Sequence, residues 1–435
     1  MAQPLSNWER VGKCQTMERT YKYRLLPTSK QRIVLLNALD ACRWLHNACL
    51  EQRIIGWRSH HRTITYVEQS RELPGIMATL PQFKSVQHHV LQRAMRRLDR
   101  AYTAFFRSVK KRRMGGATPK VGFPRFKSRD RYRSLEFDAT AFRIDRDQAV
   151  LSKVGRIRFI EHRPVPKEGR VVLATVKCDA VGDWWVSFAM ELPEPVERPI
   201  VRVLGVDLGL HSLIATSDGQ TVDAPRCLRR NLSKLRCEQR RLSRRIKGSK
   251  NRQRQRTVVA RLHRKVGYQR SDFLHKLSRQ LVDACDAVVF EDLRIKNMQR
   301  NPRLSLSIAD AGWNELVRMT TYKAEGAGGK VVRVNPAGTS QECSGCGANV
   351  PKSLSTRVHR CACGLVLDRD VNAARNILTR GLGELHGLAT VGAKRARASR
   401  VPREPRESTP VETGPPRRLC AAASLVDEAG TSHLL

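Results

Sequence analysis

The amino-acid sequence predicts a multidomain α+β protein: a β-barrel with a helical insertion, an α/β domain with a basic helical insertion, and a small cysteine-bearing ribbon. Three observations support this fold class. Six short segments of alternating apolar and polar residues lie between 134 and 192, a proline-rich stretch at 191–200 precedes a change to longer apolar strands, and two close cysteine pairs lie within 343–363. A length of 435 residues fits about three domains.

Positive charge dominates the composition. The chain has 81 Lys and Arg residues against 40 Asp and Glu residues, which gives a formal net charge of +41. Such an excess predicts a polyanionic partner, with nucleic acid favoured over an anionic membrane surface. No apolar run approaches the roughly 18 residues of a membrane span. Residues 1–16, which we expect to form a flexible leader, lack the apolar centre of a signal peptide, so a cytoplasmic location is expected.

The first domain is predicted to be a β-barrel that binds nucleic acid, formed by 17–28 and 119–198. The stretch YKYRLLPT alternates as a strand does and is ended by Pro27. The six alternating segments at 134–192, with glycines in the gaps between them, supply the other strands of a small barrel or sandwich. The residues between these parts, 29–118, then form an inserted recognition domain.

The insertion at 29–118 is predicted to be helical. Thr28 or Ser29 is a suitable N-cap, and the apolar residues that follow are spaced three and four apart. A second amphipathic helix is predicted from about Val86 to Val109, with a basic opposite face that runs into KKRR. Such a basic face predicts either phosphate contact or simply a solvated surface.

A loop rich in aromatic and basic residues, Gly122–Ser134, follows the insertion. Phe123 and Phe126 alternate there with Arg125 and Lys127. Aromatic rings interleaved with cations can stack on bases and pair with phosphates, so Arg125 and Lys127 are candidate nucleic-acid contacts. The alternative is a loop that its two phenylalanines pin to a core.

The next domain begins with an apolar strand, VRVLGVDLG, which carries Asp207 near its end. Two short strands follow as a meander, then a basic insertion, then the buried-type strand DAVVFEDL with Glu291 near its end. A helix, the strand KVVRV and a final helix that starts at Asp370 complete the order. With the cysteine segment set aside, this is the order of an RNase H-like fold, which we predict for 199–336 and 367–380.

The basic insertion at 227–280 contains nineteen Lys and Arg residues and two acidic residues. Leucines keep helical spacing on both sides of KGSKN, which predicts two antiparallel helices joined by a turn. A run of charge this one-sided repels itself unless a counter-charge is present, so we expect it to contact nucleic acid. The residues predicted to make this contact surround the turn: Arg240, Arg241, Arg244, Arg245, Lys247 and Lys250.

Three carboxylates occupy the places that converge in an RNase H-like fold. Asp207 and Glu291 lie at the ends of the first and fourth strands, and Asp370 lies at the start of the last helix. Converging carboxylates repel one another, and two Mg²⁺ ions would cancel that charge, because Mg²⁺ prefers hard oxygen ligands. Two ions about 4 Å apart can activate a water and stabilise a leaving oxygen, so phosphodiester hydrolysis is the predicted reaction.

The cysteines near residue 350 predict a structural zinc site. Cysteines stay reduced in the cytoplasm, so close pairs read as metal ligands and not as disulfides. Four thiols in two pairs form a tetrahedral site when the loop between them folds back, and we assign this zinc ribbon to 337–366. The predicted ligands are Cys343, Cys346, Cys361 and Cys363. The tail, 381–435, is rich in Pro, Arg, Ser and Thr and is predicted to be disordered.

The motifs around these residues resemble a known family. GVDLG, FED and DRDVNAARNI, with CSGCG ahead of the last, look like the split RuvC nuclease and zinc ribbon of the TnpB (OrfB) proteins of insertion sequences, which resemble compact CRISPR type V effectors. YKYRLLPTSKQ, GFPRFKS and NPAGTSQECSGCG are also similar to that family, so the resemblance covers roughly 18–380. It implies that Asp207, Glu291 and Asp370 form the catalytic triad and that the four cysteines bind zinc.

One feature departs from the family pattern. The second cysteine pair of the family is often C-x-x-C, whereas only Ala362 separates Cys361 from Cys363. A C-x-C pair can bind the same metal through a different turn. His359, two residues before this pair, is the alternative to a thiolate ligand.

The function implied by the resemblance is magnesium-dependent, RNA-guided cleavage of DNA. A guide RNA from the transposon end would pair with a double-stranded DNA target, and the protein would read a short flanking motif. Two alternatives remain: a nuclease-inactive, RNA-guided DNA-binding repressor, and a transposase acting in strand transfer, which an RNase H-like core also serves. The complete carboxylate set argues against the repressor. The sequence does not identify whether the protein has a protein partner.

Overall fold

The computed structural model describes residues 16–116, 121–353 and 356–398. Strand β1 (Thr16–Leu26) comes first and is followed by four helices, α1 (Ser29–His60), α2 (Tyr66–Thr79), α3 (Pro81–Lys84) and α4 (His88–Arg113). The predicted N-cap of the first helix is confirmed. The Thr28 side chain accepts from the backbone N–H of Gln31 while the Gln31 side chain accepts from the backbone N–H of Thr28, which satisfies two donors at the helix start.

Six strands follow the helices, where the alternation predicted them. They are β2 (Ser134–Asp138), β3 (Phe142–Asp145), β4 (Gln148–Leu151), β5 (Gly155–Ile160), β6 (Arg170–Cys178) and β7 (Trp184–Pro193). With β1 they form a seven-stranded antiparallel sheet in the order β2-β6-β7-β1-β5-β4-β3.

This sheet is a curled half-barrel, because its two edge strands do not pair with each other in the described part of the chain. The edges β2 and β3 are nevertheless joined by only 139–141, so the sheet has to curl until both edges lie within reach of that short connection. The prediction of a barrel is therefore confirmed in part: the sheet is curled, but it is a half-barrel. One hydrophobic core joins the inner face of the sheet to α1, α2, α3 and α4, through side chains such as Tyr23, Leu45, Leu91 and Phe188.

The second half of the described chain begins with a three-stranded meander and two long helices. The strands are β8 (Val203–Leu208), β9 (Ser212–Thr216) and β10 (Thr221–Asp223), and the helices are α5 (Cys227–Ser243) and α6 (Lys250–Ala284). The elements that follow are β11 (Ala287–Glu291), α7 (Ile295–Met298), α8 (Pro302–Ala311), α9 (Trp313–Gly326), β12 (Lys330–Val334), β13 (Val358–Arg360), β14 (Val366–Asp368) and α10 (Arg369–Ala398).

Five of these strands form one sheet in the order β10-β9-β8-β11-β12. Strands β8, β9 and β10 are antiparallel neighbours, while β8, β11 and β12 run parallel to one another. The order of these strands along the chain agrees with the sequence prediction, whereas three helices and not one separate β11 from β12. Val206, Leu208, Val288 and Phe290 project from one face of the sheet into a core built with α6, α8 and α9.

Helices α5 and α6 form the predicted antiparallel pair, and 244–249 joins them. α6 has 35 residues, which corresponds to about 52 Å of helix. Its basic side chains also contact the half-barrel: Arg264 forms ion pairs with Asp179 and Asp183, and Arg256 pairs with Asp130 at 3.0 Å. Part of the positive charge in 227–280 is therefore used inside the protein.

The prediction of a disordered tail from residue 381 is wrong for its first part. Helix α10 continues to Ala398, because the residues that follow Arg380 are mostly Ala, Leu, Lys and Arg, which favour helix, interrupted by single glycines. The compact body ends at Leu382, and of the second unit, Gly383–Leu435, only 383–398 is described. The rest of the tail and 1–15 of the leader lie outside the described residues. None of the described helices is both long enough and apolar enough to cross a bilayer.

Candidate active site and cysteine cluster

Alternation along the two central parallel strands decides where Asp207 and Glu291 lie. Gly205 pairs with Val289 in the register of β8 and β11, so Asp207 and Glu291 continue that register two residues further on. Side chains two apart on a strand share a face, and neighbouring strands lie about 4.8 Å apart. The two carboxylates are therefore neighbours at the same end of the sheet, on the face opposite the apolar core.

Helix α10 packs on this face and brings Asp370 to it. The packing is close: a Cβ on Gly205 would lie 2.2 Å from the carbonyl oxygen of Ala374, so only glycine fits there. The helix start is fixed by Asp368, whose Oδ1 accepts from the backbone N–H groups of Asp370 and Val371. Asp368 thus serves as a cap, and Asp370 projects from the first turn.

The three carboxylates influence one another electrostatically. Burial first, and then the like charges of Glu291 and Asp370, raise the pKa of Asp207 to about 8. Burial also raises the pKa of Glu291, against the opposing effects of a hydrogen bond from Thr339 and the charge of Arg380. Asp370 lies 3.9 Å from the guanidinium of Arg357. A site in which ionised carboxylates are this unfavourable is suited to hold cations.

The three carboxylates are contributed by three separate elements of the fold. In the described part of the chain, one group of three or more possible ligands has all its donor atoms within 4.8 Å, and it is formed by cysteines. The carboxylate set instead spans the end of two strands and the start of a helix. An arrangement that holds two ions about 4 Å apart, each bound by part of the set, accommodates that spread.

The cysteine group consists of the four predicted residues. The Sγ atoms of Cys343 and Cys363 lie 3.7 Å apart, and those of Cys346 and Cys361 lie 3.6 Å apart. A tetrahedral zinc ion with bonds of about 2.3 Å to sulfur requires ligand atoms about 3.8 Å apart. The C-x-C pair therefore closes the same tetrahedron that a C-x-x-C pair would, and the cluster is able to bind zinc.

His359 lies outside this ligand cluster. It is fully buried on β13, and its Nδ1 is hydrogen-bonded by the ammonium group of Lys352. Since all four thiols are already in place, the alternative in which His359 replaces a thiolate is not supported. Burial disfavours the thiolate of Cys343, but hydrogen bonds from the backbone of Cys346 and neighbouring groups outweigh it and lower the pKa of Cys343 to about 5.

Polar side chains of α10 bind the cysteine-bearing segment to the carboxylate site. Asn372 accepts from the backbone N–H of Ser344 and donates to the carbonyl of Glu342. One turn later Asn376 donates to the carbonyls of Thr339 and Glu342, and after another turn Arg380 donates to the carbonyls of 335 and 337. These side chains share one helix face. The sequence analysis assigned no such role to any of these side chains, because the segment they bind lies about 30 to 45 residues away along the chain.

The residues predicted to contact nucleic acid fall into two groups. Arg240, Arg241, Arg244, Arg245, Lys247 and Lys250 are all exposed and surround the turn between α5 and α6. Arg241 alone among them forms an ion pair in the described residues, with Glu238 at 2.8 Å. The tip of this helical hairpin is therefore a cluster of largely uncompensated cations.

Arg125 and Lys127 lie in a loop that is fixed to the helical domain. The backbone N–H of Lys127 donates to the side chain of Asn47, which donates back to the carbonyl of Lys127. Phe123 packs against Tyr102 and Phe105 but stays 45% exposed. Phe123 thus helps to anchor the loop, while Arg125 is exposed and its contact with nucleic acid stays a prediction.

Comparison with known proteins identifies the family. A family model described as "Probable transposase" matches 187–302, and one described as "Cas12f1-like, TNB domain" matches 313–377. A "Putative RNA-guided DNA endonuclease" of Streptomyces pristinaespiralis is 36% identical over 85% of this chain and 90% of its own length. The chain belongs to the TnpB (OrfB) family. The predicted resemblance is confirmed.

Other comparisons agree with membership of the TnpB family. The protein InsQ of Escherichia coli, with the same description, is 31% identical over 83% of this chain and 92% of its own length. A model described as "Helix-turn-helix domain" matches 17–62, which in this structure are β1 and α1. Among solved structures, a Cas12f1–sgRNA–target DNA complex aligns over 83% of this chain and 98% of the solved chain, with 12% identity and a TM-score of 0.44.

Proposed function

We propose that this protein is an RNA-guided DNA endonuclease that hydrolyses DNA phosphodiesters at Asp207, Glu291 and Asp370. The observation that carries the proposal is the convergence of these carboxylates from β8, β11 and α10, with the pKa of Asp207 raised by burial and by the other two. Membership of the TnpB family supports RNA guidance, because its relatives with 36% and 31% identity are described as RNA-guided DNA endonucleases. The five-stranded sheet with α10 across it then constitutes an RNase H-like, RuvC-type domain.

The mechanism assigned to this chain depends on charge. The three carboxylates would hold Mg²⁺, which when bound supplies the charge that activates a water and stabilises the leaving oxygen. The protein fixes the positions of the ligands: strand register aligns Asp207 with Glu291, and the Asp368 cap sets the first turn of α10, which carries Asp370. Glu291 is buried and Asp207 and Asp370 are half-buried, which limits contact with bulk water and strengthens the electrostatic interactions of these carboxylates.

The cysteine cluster is assigned a structural zinc ion. Four thiols complete a tetrahedron and leave no open ligand position, which is the arrangement of structural zinc sites and not of catalytic ones. In this assignment 337–366 forms the zinc ribbon, inserted between 199–336 and 367–380 of the nuclease domain. The Asn372 and Asn376 contacts join the ribbon to α10.

The remaining parts are assigned to nucleic acid. The hairpin tip of α5 and α6 would bind phosphates of the guide RNA or the target DNA without reading sequence. The half-barrel (17–28 and 119–198) with its helical insertion (29–118) would bind the guide RNA and the DNA next to the target. Because base pairing supplies the sequence information, a protein of this size can recognise a long target. A cytoplasmic protein that acts on DNA accords with this assignment.

A guide-exchange experiment tests the proposal. The protein is purified with the RNA it binds, the guide segment of that RNA is replaced, and cleavage of two plasmids that match the old and the new guide is measured in Mg²⁺. We expect cleavage to move to the plasmid matched by the new guide and to stop when the RNA is omitted. Cleavage that stays at the old site, or that proceeds without RNA, would support a nuclease or transposase in which the protein itself reads the DNA.

A further inference from the structure

Asp207 and Glu291 are the two carboxylates of the site that lie on strands. Among the described residues, Thr339 is the one whose side chain donates a hydrogen bond to either of them. It lies on the segment between β12 and Cys343 and is 4% exposed. Its Oγ1 is hydrogen-bonded to Oε1 of Glu291 and lies 3.1 Å from the carbonyl oxygen of Pro336. A hydroxyl has a single proton. When Glu291 is ionised, that proton goes to the carboxylate, because a charged acceptor makes the stronger bond.

The backbone around Thr339 is itself fixed by a hydrogen bond and by a glycine turn. Its carbonyl accepts from Asn376 Nδ2 at 2.8 Å, and the same amide group donates to the carbonyl of Glu342 at 2.7 Å. Asn376 is 6% exposed, so this bond is shielded from competing water. Gly338, just before Thr339, has a φ of +79°, a left-handed conformation that glycine adopts without strain. The backbone that carries the hydroxyl therefore has little freedom to move.

An isolated Glu carboxylate does not have a fixed orientation, because its terminal torsion has a broad energy minimum. A donor on one oxygen fixes the plane of the group and directs the other oxygen. At Glu291 the donor occupies Oε1, which leaves Oε2 available to a metal ion. Hydrogen-bond partners of this kind typically change metal affinity or activity about 10- to 100-fold when they are removed.

We propose that Thr339 is a positioning residue that orients Glu291 for metal binding, and that the cysteine segment supplies it. This inference rests on the proposed function for its consequence in catalysis. It connects the two centres: the stretch of chain that leads to Cys343 also carries the donor to Glu291, and α10, which carries Asp370, fixes that stretch through Asn376. The geometry of the carboxylate site then depends on the folding of the cysteine loop.

The test compares three variants of the full chain in complex with its RNA. Thr339→Val keeps the shape of the side chain and removes the hydroxyl, and Thr339→Ser keeps the hydroxyl. Thr320→Val is the matched control, because Thr320 is also fully buried and its hydroxyl bonds only to the carbonyl of Leu316 within α9. Three quantities are measured: Mn²⁺ binding by electron paramagnetic resonance, target-DNA binding without divalent ions, and the cleavage rate against Mg²⁺ concentration.

We expect Thr339→Val to weaken Mn²⁺ binding by about 10-fold or more and to need correspondingly more Mg²⁺ for cleavage. DNA binding should stay within about 2-fold of wild type, and Thr339→Ser and Thr320→Val should behave like wild type. The proposal is overturned if Thr339→Val binds Mn²⁺ as wild type does, if Thr339→Ser fails as Thr339→Val does, or if Thr320→Val shows the same loss. If wild type does not cleave, the proposed function fails, while the Mn²⁺ titrations still decide the role of Thr339.

Discussion

The cysteine cluster and the carboxylate cluster are both suited to metal, but they are built in opposite ways. The cysteines come from a short stretch of chain, and their sulfur atoms all lie within 4.8 Å of one another. The carboxylates come from β8, β11 and the start of α10, where burial and the like charges of Glu291 and Asp370 raise the pKa of Asp207. The cysteine cluster therefore depends on the local conformation of one loop, whereas the carboxylate cluster depends on the folding of the whole sheet.

The difference indicates what each centre contributes to the protein. A closed set of four thiols satisfies its ion completely, so the ion adds to folding stability. A buried, incompletely compensated set of carboxylates opposes folding, and this unfavourable charge is the feature that binds the ions needed for chemistry. Removal of ligands should therefore affect stability at the cysteines and activity at the carboxylates.

The largest expected effect is on cleavage. Asp207→Ala, Glu291→Ala and Asp370→Ala should each abolish cleavage of a guide-matched plasmid, because each removes an oxygen ligand of the proposed Mg²⁺ site. RNA binding should stay close to wild type, since the basic hairpin is untouched. Asp272→Ala is the control, because this carboxylate is exposed and pairs only with Lys276 on the surface of α6. Cleavage at the wild-type rate by any one of the three variants would remove that residue from the site.

The next effect concerns zinc content and stability. Purified protein should contain about one zinc ion per chain, and Cys363→Ser should lower both the zinc content and the midpoint of thermal unfolding. His359→Ala should retain zinc, because His359 lies outside the ligand cluster, and Cys237→Ser should be silent. Elemental analysis that finds no zinc in active protein would contradict the assignment, as would zinc lost from His359→Ala but kept in Cys363→Ser.

Substitutions at the tip of the α5–α6 hairpin, away from the carboxylates and the cysteines, should alter nucleic-acid binding without altering the binding of Mg²⁺ or zinc. Replacing Arg240, Arg241, Arg244 and Arg245 by Ala should weaken nucleic-acid binding and flatten its salt dependence. The slope of log K against log salt falls by about 0.9 for each phosphate of B-form DNA that the protein no longer neutralises. The same four positions changed to Lys should keep most of the slope, because Lys retains the charge. A changed target site in the Ala variant would mean that these residues read sequence.

The smallest expected effect is a gain in stability. The pKa of Asp207 is raised to about 8 in the folded protein, against about 3.9 in an unfolded chain, so its ionisation favours unfolding. Stability without Mg²⁺ should therefore fall as pH rises from about 4 to 8. Asp207→Asn cannot ionise at this position, so it should not lose stability in this way and should melt at a higher temperature than wild type at pH 8. Each kcal/mol of unfolding free energy that the variant retains corresponds to about 2–4 °C in melting temperature. The measurement is thermal unfolding of wild type and Asp207→Asn at pH 8 in Mg²⁺-free buffer, without a chelator that would remove zinc. Equal melting points for the two proteins would contradict the prediction that ionised Asp207 destabilises the fold.

Much of the architecture was predictable because its signals are local. Period-2 alternation located the strands of the half-barrel, and helical spacing of leucines on both sides of KGSKN located α5 and α6. Helices α2 and α3 were missed since Pro74 and Pro81 look like chain breakers, yet Pro74 lies inside α2 and Pro81 opens α3. Proline is tolerated at a helix start, and tertiary packing overrides its cost elsewhere.

The supporting contacts of the site were not predictable in the same way. Asp310 accepts from the backbone N–H groups of Leu228 and Arg229 and caps α5 from a distant part of the chain. Thr339 and Asn376 likewise act on partners that are far away in sequence. A short polar residue in a loop or on a helix has no local pattern that identifies such a partner. Only the packing of α10 on the sheet brings these groups together.

The three carboxylates follow a fixed order of synthesis. The hairpin α5–α6 and two of the carboxylates leave the ribosome before Asp370 is made. A chain that stops after β12 would keep its cationic arm and lack both the last ligand and the helix that seats it. Such a product would also uncover the face of the sheet on which Ala374 and Ile377 are buried, so a nonsense codon that removes only α10 is expected to abolish cleavage.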